Sequence, residues 1–190
     1  MKAAQRRSVI GVALLGAAAL MGYAYYLSLT PATHPDHDHG ILNLDAGGRL
    51  VVETRDGKGR NLVGKPGHVL VLHFFSTTAP EAASELRSLF AFQERTKSDT
   101  SAELVLIAKD PDFATLDAWL SQNGLVPPVP SSLVLDPTGD ATTKLNSKRP
   151  VETMFFTPEG KLASQAHGRL DWELSAAARI REAAGGATIE

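Results

Sequence analysis

The sequence predicts an α/β domain, a mixed central β-sheet flanked by helices on both faces, preceded by an N-terminal transmembrane helix. Three observations predict it. From His68 onward, short continuous apolar runs alternate with segments of helical period, the pattern of strands buried between helices. Turn-forming tetrapeptides join strand pairs near both ends of this region, so antiparallel strands accompany the parallel ones. An uncharged run of 19 residues, Val9–Leu27, lies near the start of the chain.

That run is long enough to cross most of a hydrocarbon layer of ~30 Å at ~1.5 Å per residue. Lys2, Arg6 and Arg7 precede it and no acid does, which keeps the N-terminus inside and exports the remainder. Tyr23, Tyr25 and Tyr26 cluster at its far end, where amphipathic rings suit the membrane interface. Leu20, Met21 and the tyrosines spoil the small-residue site that a cleaved signal needs. Residues 1–29 therefore read as a membrane anchor or uncleaved signal. They place the domain on the extracytoplasmic, periplasmic side.

Residues 30–48 read as a linker rich in Pro, Asp, His and Gly without a period. His34, His37 and His39 alternate there with Asp36 and Asp38. Imidazole and carboxylate are ligands for Zn²⁺, Cu²⁺ or Ni²⁺, so the tract is a candidate divalent-metal site and its bearer a candidate metal carrier. A solvated spacer is the competing reading, because no fourth spaced ligand is evident.

The domain occupies residues 49–184, followed by a tail of 185–190. Arg49–Thr54 and Arg60–Val63 flank Asp56-Gly57-Lys58-Gly59, a hairpin signal. His68–Phe75 is a strand buried on both faces. Pro80–Lys97 carries Ala82, Leu86, Leu89 and Phe90 at helical spacing. Its start combines Thr78 as a cap, Pro80 early in the helix, and Glu81 in capping-box position. Leu104–Ala108 is a second buried strand. Phe113–Asn123 is a helix closed by Gly124. Leu125–Pro130 is a proline-rich loop, Ser132–Leu135 a short strand, and Asp136-Pro137-Thr138-Gly139 turns into a short helix to about Leu145. Val151–Phe156 and Lys161–His167 form a hairpin around Thr157-Pro158-Glu159-Gly160. A final helix runs from about Asp171 to Ala184.

Three stretches resemble the membrane-anchored envelope thioredoxin-like proteins of the TlpA and ResA type. Gly64-Lys65 before HVLVLHFFSTTAPEA resembles that family's "GK-vvlvnFWAtWCppC" strand and active-site turn. LVLDPTGDATTKLNSKRPVETMFFTPEGKL resembles "vllDpdGevakkYGttkvPETflIdpdGki", and Gly168–Trp172 resembles the Gly-x-x-Asp-Trp entry to the last helix. The likeness spans about residues 45–184. It implies a thioredoxin-like fold and, for the family, thiol-disulfide exchange such as that of cytochrome c maturation.

The departures fall on the chemistry. The family's two redox cysteines align with Ala79 and Ala82, and the chain contains no cysteine. The aromatic residue before the motif is replaced by Ser76 or Thr77-Thr78. The family's cis-proline falls on Val151, with Pro150 one residue early. A non-proline cis bond costs ~2.5–4 kcal/mol, so a trans bond is expected at Val151, whereas a register shift of one would let Pro150 be cis. The reading is a degenerate active site without thiol chemistry. It retains a partner or peptide groove drawn from Thr77, Thr78, Pro80, Glu81, Pro150, Val151 and Glu152, serving an envelope protein or peptide. Glu81 would repel an anion at this helix start.

Of the other polar residues, His73 is expected as a satisfied core residue, His68 and His167 at the surface, and Trp172 in the core with its indole N–H partnered. Glu152 either faces the groove or bonds a neighbouring loop. No paired carboxylates, Ser-His-Asp set or phosphate loop is visible, which leans against an enzyme. Composition agrees: 43% hydrophobic and 21% charged residues suit a packed domain. Without the anchor the chain keeps 16 basic against 21 acidic residues, net −5, which excludes nucleic acid as an expected partner. No cofactor is expected beyond the possible metal at the His tract.

Overall fold

The apolar run after His68 becomes the middle of the sheet. In the computed structural model, which describes residues 50–99 and 101–185, every residue of β3 (Val69–Phe75) is buried. Its neighbours are β4 (Ala102–Ala108), parallel, and β6 (Glu152–Phe156), antiparallel. β1 (Val51–Glu53), β2 (Gly59–Asn61), β5 (Leu133–Leu135) and β7 (Leu162–His167) complete a seven-stranded sheet in the order β2-β1-β5-β4-β3-β6-β7. Parallel pairing is confined to β3–β4 and β4–β5; both predicted hairpins, β1–β2 and β6–β7, form. A register shift between Phe155 and Phe156 marks an irregularity in the second.

Strand alternation divides the core into two layers. Val69, Val71 and Phe75 face a layer built with α1 (Ala82–Thr96), α2 (Phe113–Gln122) and the C-terminal helical segment. That segment is a π turn, Trp172–Ala176, continued by α4 (Ala177–Ala183). Leu70, Leu72 and Phe74 face the other layer, with Ala141 of α3 (Asp140–Lys144), Leu145, and Leu50, Val52 and Leu62. Each fully buried Val, Leu or Phe contributes roughly 1.5–3 kcal/mol, so β3 anchors both layers.

Local signals explain α2. Asp112 accepts from the Thr115 backbone N–H at 2.7 Å, a side-chain N-cap that holds the Asp112 carboxyl below its ordinary pKa. At the far end Gly124 takes φ +62°, with Gly124 N donating to Ser121 O and Leu125 N to Leu120 O, the paired bonds of a Schellman closure.

The start of α1 differs from expectation. The helix begins at Ala82, not Pro80, and Glu81 occupies the cap position with helical dihedrals and no side-chain cap bond. Two tight turns intervene, Ala79 N donating to Ser76 O and Ala82 N to Ala79 O. They leave Thr78 four residues from the first helical residue, and its hydroxyl pairs with Ser76 Oγ at 2.8 Å. The capping box therefore does not form. The other predicted elements of the domain appear, with ends differing by at most two residues. The anchor, the linker, Arg49 and residues 186–190 lie outside the described residues, as does the His34/His37/His39 tract.

Candidate functional site

The turn between β3 and α1 joins the positions singled out in the sequence. Ala79 and Ala82 are buried, at 6% and 0% exposure, and belong to the core layer under α1. Their methyl groups pack and carry no chemistry. Thr78 and Pro80 are exposed, and Thr77 and Glu81 are half-buried.

Two consecutive residues at the end of β4 brace this turn and the loop opposite it. Lys109 N donates to Phe75 O at 2.8 Å, which fixes the end of β4 beside the end of β3. Asp110, buried, accepts from the Thr77 backbone N–H at 3.3 Å and from the Thr77 hydroxyl. Lys109 Nζ donates to Arg149 O at 2.7 Å, to Ser147 Oγ at 3.0 Å and to Ser147 O at 3.2 Å. Asp110 thus holds the turn and Lys109 holds the loop that ends in Pro150 and Val151. Burial lowers the Lys109 pKa, while Glu152 and Asp136 oppose the shift.

The loop resolves the alternatives for its residues. No cis peptide bond occurs among the described residues, so both Pro150 and Val151 follow trans bonds. Pro150 is exposed; Val151 is 1% exposed and its carbonyl accepts from Gly168 N at 3.0 Å. Val151 therefore belongs to the core rather than to an accessible groove. Glu152 is likewise buried. Ser147 Oγ donates to it at 2.6 Å, Gln165 Nε2 also donates to it, and the exposed His167 ring has Nδ1 2.9 Å away. Its role is to bond neighbouring segments. Of the seven groove candidates, the accessible ones are Thr77, Thr78, Pro80, Glu81 and Pro150.

A variant follows from this network. Glu152→Ala removes the acceptor of Ser147, Gln165 and His167 and takes from half-buried Lys109 one of the two acids that favour its charge. Breaking one side of such a buried arrangement typically costs ~3–5 kcal/mol. Urea denaturation should show a loss near the lower figure, because Lys109 keeps three acceptors and Asp136; a loss under ~1 kcal/mol would contradict the network.

Beneath α1 lies a second polar group. His73 is fully buried; its Nδ1 is 2.9 Å from Thr153 Oγ1 and its Nε2 has no partner. The expected satisfied histidine is satisfied at one nitrogen only, because Phe75 and the Trp172 edge pack around the ring, with centroids 6.2 and 5.6 Å away. Burial pushes its pKa down to about 3. His68, expected at the surface, is half-buried, Nδ1 2.9 Å from Pro66 O. Trp172 is core, as predicted, and its Nε1–H donates to Glu85 Oε1 at 2.7 Å. Glu85, 1% exposed, also accepts from Leu170 N, and burial raises its pKa against those bonds. Glu85, Lys109, Asp110 and Ser147 are absent from the sequence-based candidates. A signal existed for Glu85, an acid set among Ala82, Leu86 and Leu89 on the apolar stripe.

Among the described residues, no group of three or more His, Asp or Glu side chains is placed to hold a metal ion. None of their helices is long and apolar enough to cross a membrane.

The strand order, the position of the turn at the β3–α1 junction and the layered helices define a thioredoxin-like α/β fold, and comparison with solved structures agrees. The chain is similar to StoA from Bacillus subtilis, with TM-score 0.54 and 20% identity over 65% of this chain and 90% of that one. It is similar to a secreted Mycobacterium tuberculosis disulfide oxidoreductase homologous to Escherichia coli DsbE, with TM-score 0.57 and 17% identity over 73% and 98%. A thiol:disulfide interchange protein of the thioredoxin family from Chlorobium tepidum TLS gives TM-score 0.57 and 16% identity over 72% and 94%. At these identities the likeness establishes the fold. No family model matches the chain, and no curated protein matches it significantly.

Proposed function

We propose that this chain is a membrane-anchored, exported thioredoxin-like protein without redox activity, which binds a partner protein or peptide in the cell envelope. The observation that carries the reading is the pair Ala79 and Ala82, buried methyls at the two positions where the resembling family has its thiols, in a chain with no cysteine. Thiolate is the nucleophile of disulfide exchange, and no side chain here supplies one. The turn nevertheless stays braced through Asp110, and the loop beside it through Lys109. Rigid exposed loops on a packed scaffold suit recognition. Export is supported by the basic residues before the Val9–Leu27 run and by the secreted Mycobacterium tuberculosis neighbour.

Disulfide reduction tests the redox half. With dithiothreitol as reductant, the purified chain should not accelerate insulin reduction above the uncatalysed rate. An Ala79→Cys/Ala82→Cys chain should gain weak turnover at most, because Val151 rather than proline follows the loop. Catalysis by the unmodified chain would overturn the reading.

A further inference from the structure

The loop that Lys109 holds also presents charge. Lys109 Nζ draws the carbonyls of Ser147 and Arg149 inward, and Ser147 Oγ donates to buried Glu152 at 2.6 Å. The backbone is thereby fixed. The side chains of Lys148 and Arg149 stay exposed and form no ion pair among the described residues. Lys58, Lys97 and Lys144 are exposed as well, but these are paired with Asp56, Glu94 and Asp140.

A third cation joins the pair from β7. Beyond the last β6–β7 partners, Glu152 and His167, Gly168 N donates to Val151 O at 3.0 Å. Two residues on, Leu170 N donates to Glu85 of α1 at 3.2 Å. Arg169 therefore sits between the Pro150 loop and α1. It is exposed and forms no ion pair among the described residues, though buried Glu85 feels its charge. From there a cleft of about 520 Å³ runs between Ser88 and Ala91 of α1 and the segment Leu170–Glu173.

The acids around this surface are largely occupied. Asp171 accepts from the Glu173 and Leu174 backbone N–H groups, and Glu173 pairs with Arg95. Glu85, Asp110 and Glu152 are buried. Half-buried Glu81 remains, against three cations. Binding to anionic lipid generally takes a cluster of ~4–8 Lys and Arg, more than this rim holds. An extended chain segment instead fits both the cations and the cleft. Charge complementarity selects such a partner, and a loop already fixed loses little freedom on binding it.

We propose that the partner is recognised through an acidic segment, whose Asp and Glu side chains pair with Lys148, Arg149 and Arg169 and whose continuation lies in the cleft along α1. This rests on the β3–α1 turn and the Pro150 loop being a recognition surface, and adds the chemistry of what they recognise.

p-Benzoylphenylalanine at exposed Thr78 captures the occupant in intact cells, and mass spectrometry maps the attached segment. It is introduced into the otherwise unmodified chain and into Lys148→Glu/Arg149→Glu, the charge-retaining Lys148→Arg/Arg149→Lys, and Arg169→Gln. Lys65→Glu is the control, an exposed cation before β3, at the end of the strand away from the turn. The adduct should map to a segment of net negative charge. Its yield per chain should fall at least ~tenfold with the double reversal, which sets like charges against each other, and several-fold with Arg169→Gln. The charge-retaining and Lys65→Glu chains should keep it. Arg169→Gln leaves the Pro150 loop unaltered and keeps the test open should the double reversal fold poorly. A neutral or basic segment, a yield that the double reversal or Arg169→Gln fails to lower, or an equal fall with Lys65→Glu would overturn the acidic segment while recognition at this surface stood. No adduct from any chain, or an adduct of lipid alone, would overturn the recognition surface itself and the proposal with it.

Discussion

A Trp172→Ala chain is expected to lose about 3–5 kcal/mol of stability from ring truncation, with a further loss from the stranded Glu85 carboxylate. The indole is 2% exposed, lies edge-on to His73 and packs at 5.7 Å from the Phe92 ring. It closes the core layer between α1 and the C-terminal segment. Its N–H is also an acceptor-specific contact to a buried acid at 2.7 Å. Burial already disfavours the charged form of Glu85, so removing this donor raises its pKa further. Trp172→Phe should fall between, recovering packing but not the bond; bonds to charged groups contribute ~1.5–3 kcal/mol. Urea denaturation of the three chains measures both parts. A loss under ~1 kcal/mol for the alanine variant would mean that the C-terminal segment is not held this way.

Acid should destabilise the domain through His73. Its folded pKa is depressed from the ordinary 6.5 to about 3, so the unfolded chain binds a proton that the folded chain refuses. Stability from this residue is complete above pH 6.5 and is lost as the pH falls from 6.5 towards 3. At ~1.36 kcal/mol per pH unit the full loss is on the order of 5 kcal/mol. Glu85 acts in the opposite sense. Its raised pKa makes folding more favourable as pH falls from that value to its ordinary 4.5, so it offsets part of the His73 loss just above 4.5, and the net decline steepens below 4.5. His73→Phe keeps an aromatic ring between Phe75 and Trp172 and removes the titration. Chemical denaturation from pH 7 to pH 3.5 should show the unmodified chain losing several kcal/mol more than the variant. Parallel curves would contradict the assignment. Comparing the two chains cancels the carboxylates that titrate in the same range, such as Asp117 held below its ordinary pKa by Arg55.

These residues mark the boundary of what one sequence discloses. β3 was legible because an uninterrupted apolar run has few other homes, and α2 because Asp112 and Gly124 delimit it within a few residues of chain. The start of α1 was not. Thr78 and Glu81 have capping-box spacing, but spacing reports compatibility, and Ser76 two residues away competes for the Thr78 hydroxyl. The polar contacts of the core depend on partners remote in sequence. His73 meets Thr153 because β3 and β6 pair with those two residues in register, and Glu85 meets Trp172 across the α1–C-terminal packing. Lys109 and Asp110 follow a strand in an ordinary way, and only the fold shows that one holds each loop. The absence of cysteine was fully legible, because composition needs no structure.

Photo-crosslinking in intact cells tests most directly whether the braced turn is a recognition surface. p-Benzoylphenylalanine is placed at Thr78 and at Pro150, both exposed, and as a control at exposed Thr143 on α3, which lies in the opposite layer. Thr78 and Pro150 should give the same discrete adduct, and Thr143 none. No adduct from either loop, or the same adducts from all three positions, would contradict recognition there.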